Sequence, residues 1–216
     1  MVYWHISFAG KERKSDMRIK VLLFDLGGVL VEFIGIKRMA ELTENRITQD
    51  ELSRRWIFSE FVRLYESGRC STETFAAGII KELGMDITPG EYIKEFPSFV
   101  KGFFPGAVEL LQAIKPNYTL ACLSNINAVH WHGLCERVSI EKYFHHNFLS
   151  FEMGKLKPDL ETYAHVIEKL GCTPSEIGFF DDNEVNVQGG INAGMRAYKV
   201  SGFKDLREKL KTLNLW

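Results

Sequence analysis

The residues in this chain best suited to chemistry are a few acids, one lysine and a serine, most of them standing directly after short apolar runs. Asp25 follows the run Lys20 to Phe24 and opens Asp25-Leu26-Gly27-Gly28-Val29-Leu30. Ser124-Asn125 follows Tyr118 to Leu123, and Asp181-Asp182-Asn183 follows Ile177 to Phe180. Lys157 lies between the last two, in Gly154-Lys155-Leu156-Lys157-Pro158-Asp159. Phosphoryl transfer needs a nucleophile, positive charge on the phosphoryl oxygens, and a metal that relieves repulsion between an anionic nucleophile and an anionic substrate. Asp25 can supply the nucleophile and form an aspartyl-phosphate. Asp25 and Asp182, joined by a backbone carbonyl, offer the hard oxygen ligands that Mg²⁺ prefers. Ser124, Asn125 and the Lys157 ammonium would hold the remaining phosphoryl oxygens. Gly27-Gly28 lets backbone N–H groups turn toward an anion where a side chain would obstruct them. Each residue alone has an ordinary reading as a cap, a turn or a solvated side chain. Four such groups in this order, at or near strand ends, make a shared site the better reading.

The elements that must position them follow from the apolar pattern. The three runs, with a fourth from Arg196 to Val200, read as strands buried on both faces, as a parallel sheet covered by helices requires. Between or after them fall helical stretches: Ala107 to Ile114 behind Pro105-Gly106, Asp159 to Leu170 behind Pro158, Glu184 to Ala193 ending at Gly194, and Lys204 to Leu210. This alternation predicts a doubly wound α/β core, whose ligands bind beyond the carboxyl ends of the strands. That is where the candidate groups fall.

From about Phe33 to Val100 the rhythm changes to helical periodicity with no convincing strand. Thr48-x-x-Glu51 has the form of a capping box, with Ile47 and Leu52 as the hydrophobic staple. The helix it opens carries Leu52, Trp56, Phe61, Val62 and Tyr65 at amphipathic spacing. A second helix follows Ser71-Thr72 with Phe75, Ile79, Ile80 and Leu83 and stops at Gly84; a third starts near Pro89 and is broken by Pro97. The predicted organisation is an extension of no established role over 1–16, with Met17 placed where a native start would make sense, an α/β core over 17–32 and 101–216, and a helical cap over 33–100. The cap's aromatics read as its own core, with Trp56 and Arg54 as candidates to reach a ligand.

At 216 residues, 45% hydrophobic and 25% charged, the chain can bury a sizeable core. A net charge of -1, with Lys and Arg scattered, gives no electrostatic footprint for nucleic acid or a membrane surface. A small phosphorylated substrate is the expected partner. Cys70, Cys122, Cys135 and Cys172 form no C-x-x-C pair and read as reduced thiols of a cytoplasmic protein. No apolar stretch approaches the ~18 residues of a membrane span.

The sequence resembles the haloacid dehalogenase superfamily, in the subfamily IA type whose helical cap follows the first motif. The resemblance covers nearly the whole chain from about Lys20 and rests on Phe24-Asp25-Leu26-Gly27-Gly28-Val29-Leu30, Leu123-Ser124-Asn125, Lys157-Pro158-Asp159 and Phe179-Phe180-Asp181-Asp182-Asn183. It implies a Rossmann-like core and a Mg²⁺-dependent hydrolase. Asp25 would be nucleophile and metal ligand, the Gly27 carbonyl a second ligand and Asp182 the third. Ser124, Asn125 and Lys157 would bind the phosphoryl group, and Asp181 would orient Lys157 or the metal's waters, with Asn186 in a supporting role. The Asp-Leu-Gly form of the first motif is similar to a branch that includes α-glucose-1-phosphate phosphatases.

Gly27 is the departure. Most phosphatases of the superfamily place there a second Asp that protonates the leaving oxygen, and its absence implies a loss of ~10²–10⁴-fold in rate. His130 is a candidate substitute. Two other readings compete: a 2-haloacid dehalogenase, which needs neither metal nor second Asp, and a catalytically silent relative that binds a ligand or a protein partner.

Overall fold

The computed structural model describes residues 18–216; the extension expected over 1–16 lies outside the described residues. The chain enters through β1 (Val21–Phe24), whose side chains are all buried, and β2 (Val31–Phe33) leads out to five helices. These are α1 (Gly35–Leu42), α2 (Gln49–Phe58), α3 (Glu60–Glu66), α4 (Thr72–Leu83) and α5 (Pro89–Glu95), after which β3 (Val100–Phe103) leads back. Helices and strands then alternate: α6 (Ala107–Ile114), β4 (Thr119–Ser124), α7 (Ala128–Val138), β5 (His146–Leu149), α8 (Ser150–Met153), α9 (Leu160–Leu170), β6 (Ile177–Asp181), α10 (Glu184–Asn192), β7 (Arg196–Lys199) and α11 (Phe203–Thr212).

Five strands form one sheet in the order β5-β4-β1-β6-β7, every neighbouring pair parallel. Phe24 pairs with Cys122 on one side and Phe180 on the other, so Asp25, Ser124 and Asp181 arrive together at one edge. The chain winds outward from β1 to β4 and β5, then crosses β1 to β6 and β7. That reversal makes the carboxyl end of β1 the switch point where such sheets bind ligands. Side chains alternate between the sheet's faces. Leu22, Phe24, Leu120, Cys122 and Phe180 pack toward α6, α7 and α11, whereas Leu23, Ala121, Leu123 and Phe179 meet Tyr163 and Val166 of α9. The predicted doubly wound core is therefore present.

Helices α1 to α5 bury a separate cluster that includes Met39, Leu52, Val62, Phe75, Tyr92 and Phe96. Tyr65 and Phe75 stack within it at 4.4 Å between centroids. Helix α4 ends at Gly84 in the left-handed conformation, as its sequence predicts.

The structure differs from the sequence pattern in its helices and in its strands. The helix expected through Tyr65 breaks at Ser59, whose extended backbone closes α2 and whose hydroxyl caps α3 by accepting from Val62 N. Thr48 accepts from Glu51 N, but the Glu51 carboxylate bonds Arg54 and Arg55 instead of returning to the cap; the full box forms at Thr88 and Glu91. Three strands were also missed. β2 and β3 form a short antiparallel ribbon with an irregular register. β5, at the sheet edge, runs from exposed His146 to buried Leu149, which leaves no continuous apolar run.

Candidate active site

Lys157 is buried at the centre of the site, in the loop between α8 and α9. Its ammonium donates to Asp25 Oδ1 at 2.8 Å and to Asp181 Oδ2 at 2.6 Å. Burial works to discharge this group, yet the carboxylates of Asp181 and Asp25 overcome that and hold it above the ordinary lysine range. Asn125 fixes the loop from outside: its Nδ2 donates to the Lys157 carbonyl at 3.0 Å, and Lys157 N donates to its Oδ1 at 2.9 Å. The Asn125 side chain thus positions Lys157, while its backbone and its second Nδ2 hydrogen have no partner in these two bonds.

Asp181 is fully buried. Besides Lys157 it accepts from Asn183 N at 2.8 Å and from the Asn186 amide at 3.1 and 3.2 Å. Asn186 is held in turn by Tyr163, whose hydroxyl donates to its carbonyl at 2.7 Å. These donors occupy both Asp181 oxygens. Asp25 and Asp182 are left as the pair open to a cation.

Asp25, Asp181 and Asp182 place one carboxylate oxygen each within 4.8 Å of one another. Three carboxylates against one ammonium leave a surplus of two negative charges, which a divalent cation would cancel. Both Asp25 and Asp182 are held above the ordinary carboxylate range. Asp25 is pushed up to about 7, by burial first and then by Asp181 and Asp182, with Lys157 opposing. Asp182, though open to solvent, rises to about 6 through partial desolvation and Asp181. Gly28 completes the fit: it has φ +74°, and a Cβ there would stand 2.5 Å from Asp182 Oδ2. Only glycine lets this turn lie against the carboxylate. The residues present therefore suit a hard divalent cation at Asp25 and Asp182, with Gly27 lining the same cavity.

These groups floor a cavity of about 390 Å³ that Ser124, buried at the end of β4, also lines. Its roof comes from the helices, with Ile36, Trp56, Ile57, Val62 and Glu66. Trp56 thus reaches the site as its sequence position allowed; Arg54 does not, being exposed and paired with Glu51.

His130 lines the cavity but is committed. Its Nε2 lies 2.9 Å from the Phe96 carbonyl and its Nδ1 3.1 Å from Asn127 Nδ2, so the ring donates at Nε2 and accepts at Nδ1. Burial drives it down to about 4. The histidine is neutral and structural, and its candidacy as a substitute acid fails because neither nitrogen is available.

Sequence reasoning missed Glu66. Glu66 enters the cavity from α3, close beside the Trp56 side chain. A signal existed: Glu66 falls four residues after buried Val62 and next to buried Tyr65, an acid beside the apolar stripe.

Known proteins of similar sequence include phosphatases. The chain is 24% identical over 206 residues to a D-ribitol-5-phosphate phosphatase of Bacteroides thetaiotaomicron, covering 90% of this chain and 98% of that protein. It is 25% identical to flavin mononucleotide hydrolase 1 of Arabidopsis thaliana, covering 97% and 83%. A crystal structure of a haloacid dehalogenase family enzyme from Bacteroides thetaiotaomicron, complexed with magnesium and inorganic phosphate, superposes with TM-score 0.69 at 28% identity over 85% of this chain and 95% of that one. A family model for haloacid dehalogenase-like hydrolases matches residues 19–194, which take in β1 through α10 and every group described above; the chain belongs to that family.

Proposed function

We propose that this protein is a magnesium-dependent phosphatase acting on a small phosphorylated metabolite through an aspartyl-phosphate on Asp25. The observation that carries this reading is the Lys157 ammonium held between Asp25 and Asp181, with Asp182 beside them at the mouth of one cavity. A carboxylate nucleophile, a buried cation for the phosphoryl oxygens and a divalent-metal site are what phosphoryl transfer requires.

In the first step an Asp25 oxygen bonds to phosphorus while the bond to the leaving oxygen breaks. Lys157 neutralises both Asp25 and the phosphoryl group, with Ser124 and the Asn125 backbone on the remaining oxygens. Asp181, steadied by Asn186, keeps the lysine aimed. Water then attacks the phosphorus of the aspartyl-phosphate and frees Asp25. Asp25, the Gly27 carbonyl and Asp182 would hold magnesium, which would supply the charge neutralisation that lets the anions approach.

A sugar or sugar-alcohol phosphate is the favoured substrate, in keeping with the D-ribitol-5-phosphate phosphatase among the relatives and with a cavity of about 390 Å³. The helices of residues 35–95 would act as a cap that excludes water. The four cysteines are free thiols, which fits a reducing compartment, and the cytoplasm is the proposed location. Among the described residues no helix is long and apolar enough to cross a membrane.

The surplus of carboxylates argues against a haloacid dehalogenase, since without a cation they would repel a carboxylate substrate. The retained Asp25–Lys157 pair argues against a silent relative. Phosphate release from p-nitrophenyl phosphate should require magnesium and vanish in Asp25→Asn. Halide release from chloroacetate in chelator, with no phosphatase activity under magnesium, would sink the assignment.

A further inference from the structure

A phosphatase whose nucleophile is Asp25 must deliver a proton to the departing oxygen when the leaving group is a poor one. Gly27 has no side chain to do so. His130 has both ring nitrogens committed, and Asp181 is saturated by Lys157, Asn183 and Asn186. In-line displacement sends the leaving oxygen away from the nucleophile. Asp25 attacks from the sheet, so the oxygen departs toward the helices.

On that side stands α3, whose C-terminal end is fixed against the core. Arg63 donates to Asp159 Oδ2 at 3.0 Å, two residues beyond Lys157. Just past the helix Gly68 has φ +70°, and a Cβ there would lie 2.5 Å from the Phe151 carbonyl, so the chain touches α8. Glu66 follows Arg63 by three residues, on the same side of the helix, and it lines the cavity together with Trp56.

We propose that Glu66 is the catalytic acid and base of this site, donating its proton to the leaving oxygen in place of the side chain that Gly27 lacks. The assignment rests on the phosphatase reading. As the bond from phosphorus to the leaving oxygen breaks, the Glu66 proton passes to that oxygen and an alcohol departs. The carboxylate left behind takes a proton from the water that attacks the aspartyl-phosphate, so Glu66 ends the cycle protonated and the net reaction is hydrolysis. Its surroundings favour the protonated resting form. Burial raises it to about 8, opposed by the bond from Trp56, then by Lys157, reinforced by Asp25, and opposed again by Arg63 of its own helix. Asp182 and neutral His130 are the other titratable groups lining the cavity.

The test compares Glu66→Gln with wild type, under magnesium, on p-nitrophenyl phosphate and on an alkyl phosphate such as glycerol phosphate. Glutamine keeps an acceptor for Trp56 but has no proton to give. The expected result, in a single turnover, is a loss of about 10²-fold or more in the rate of alcohol release from the alkyl ester and less than about threefold in nitrophenol release, which needs little protonation, whereas hydrolysis of the aspartyl-phosphate, common to both, slows alike. Equal losses in the two release rates, or none in either, would overturn the assignment while leaving the phosphatase intact. Absence of turnover in wild type would instead remove the phosphatase reading itself. A second readout needs no turnover: in protein carrying ¹³C-labelled glutamate carboxyls, the signal missing from Glu66→Gln should titrate well above the ordinary carboxylate range. A signal titrating near 4.5 would overturn the proposal.

Discussion

A Cβ added to Gly27 would meet nothing closer than Cβ of Phe33, 3.8 Å away, and the glycine's φ is not positive. The position can therefore carry a side chain without strain, unlike its neighbour Gly28. Gly27→Asp should fold as wild type does, and combined with Glu66→Gln it should restore most of the alkyl-phosphate turnover lost in the single variant. Thermal unfolding and initial rates on glycerol phosphate check the two halves.

Gly28→Ala should behave in the opposite way. Its left-handed backbone disfavours a side chain by about 1 kcal/mol, and the new methyl would press on Asp182 Oδ2. Displacing that ligand should weaken magnesium binding by about tenfold or more, with little change in circular dichroism. Calorimetric titration with magnesium measures it; unaltered affinity would mean that Asp182 does not hold the metal.

Lys157→Met removes the one ammonium among three carboxylates. Breaking such a buried arrangement costs roughly 3–5 kcal/mol. The deficit should shrink when magnesium is present, because the metal answers the same surplus of charge. Urea unfolding with magnesium and with chelator tests this, and an identical deficit in both would count against a shared electrostatic role.

His130 should make the protein sensitive to mild acid. Its folded pKa is lowered to about 4 from an ordinary value of 6.5, chiefly by burial. A depressed pKa contributes stability that is fully present above the unfolded value and lost as pH falls through the folded one. Between pH 7.5 and pH 5 this group alone should remove about 2 kcal/mol, at 1.36 kcal/mol per unit. His130→Gln, which does not titrate, should be less stable than wild type at pH 7.5, and the gap should narrow by pH 5. A constant gap would assign the acid sensitivity to other groups.

The strands ending in Asp25, Ser124 and Asp181 were legible because strands buried on both faces leave uninterrupted apolar runs, and the polar residue after each run marks the ligand side of the sheet. The capped helices at Ser71 and Pro89 were legible because caps are local chemistry. β5 was not: as an edge strand it needs only its last residues buried. The break at Ser59 was equally hidden, since the amphipathic pattern continues across it.

The sequence by itself determined which groups would meet, because strand ends in a parallel sheet are brought into register by backbone pairing alone. It determined too that Gly27 carries no acid. Only the tertiary structure decided which carboxylate Lys157 shares with Asp25, that Asn125 spends its amide on the lysine's loop, and that His130 is sealed by Phe96 and Asn127. It also brought Glu66 over the site, because the contact between α3 and the core depends on Arg63 and Asp159, 96 positions apart. Local periodicity records which face of a helix is buried; what that face is buried against is settled by distant partners, and these appear only once the chain has folded.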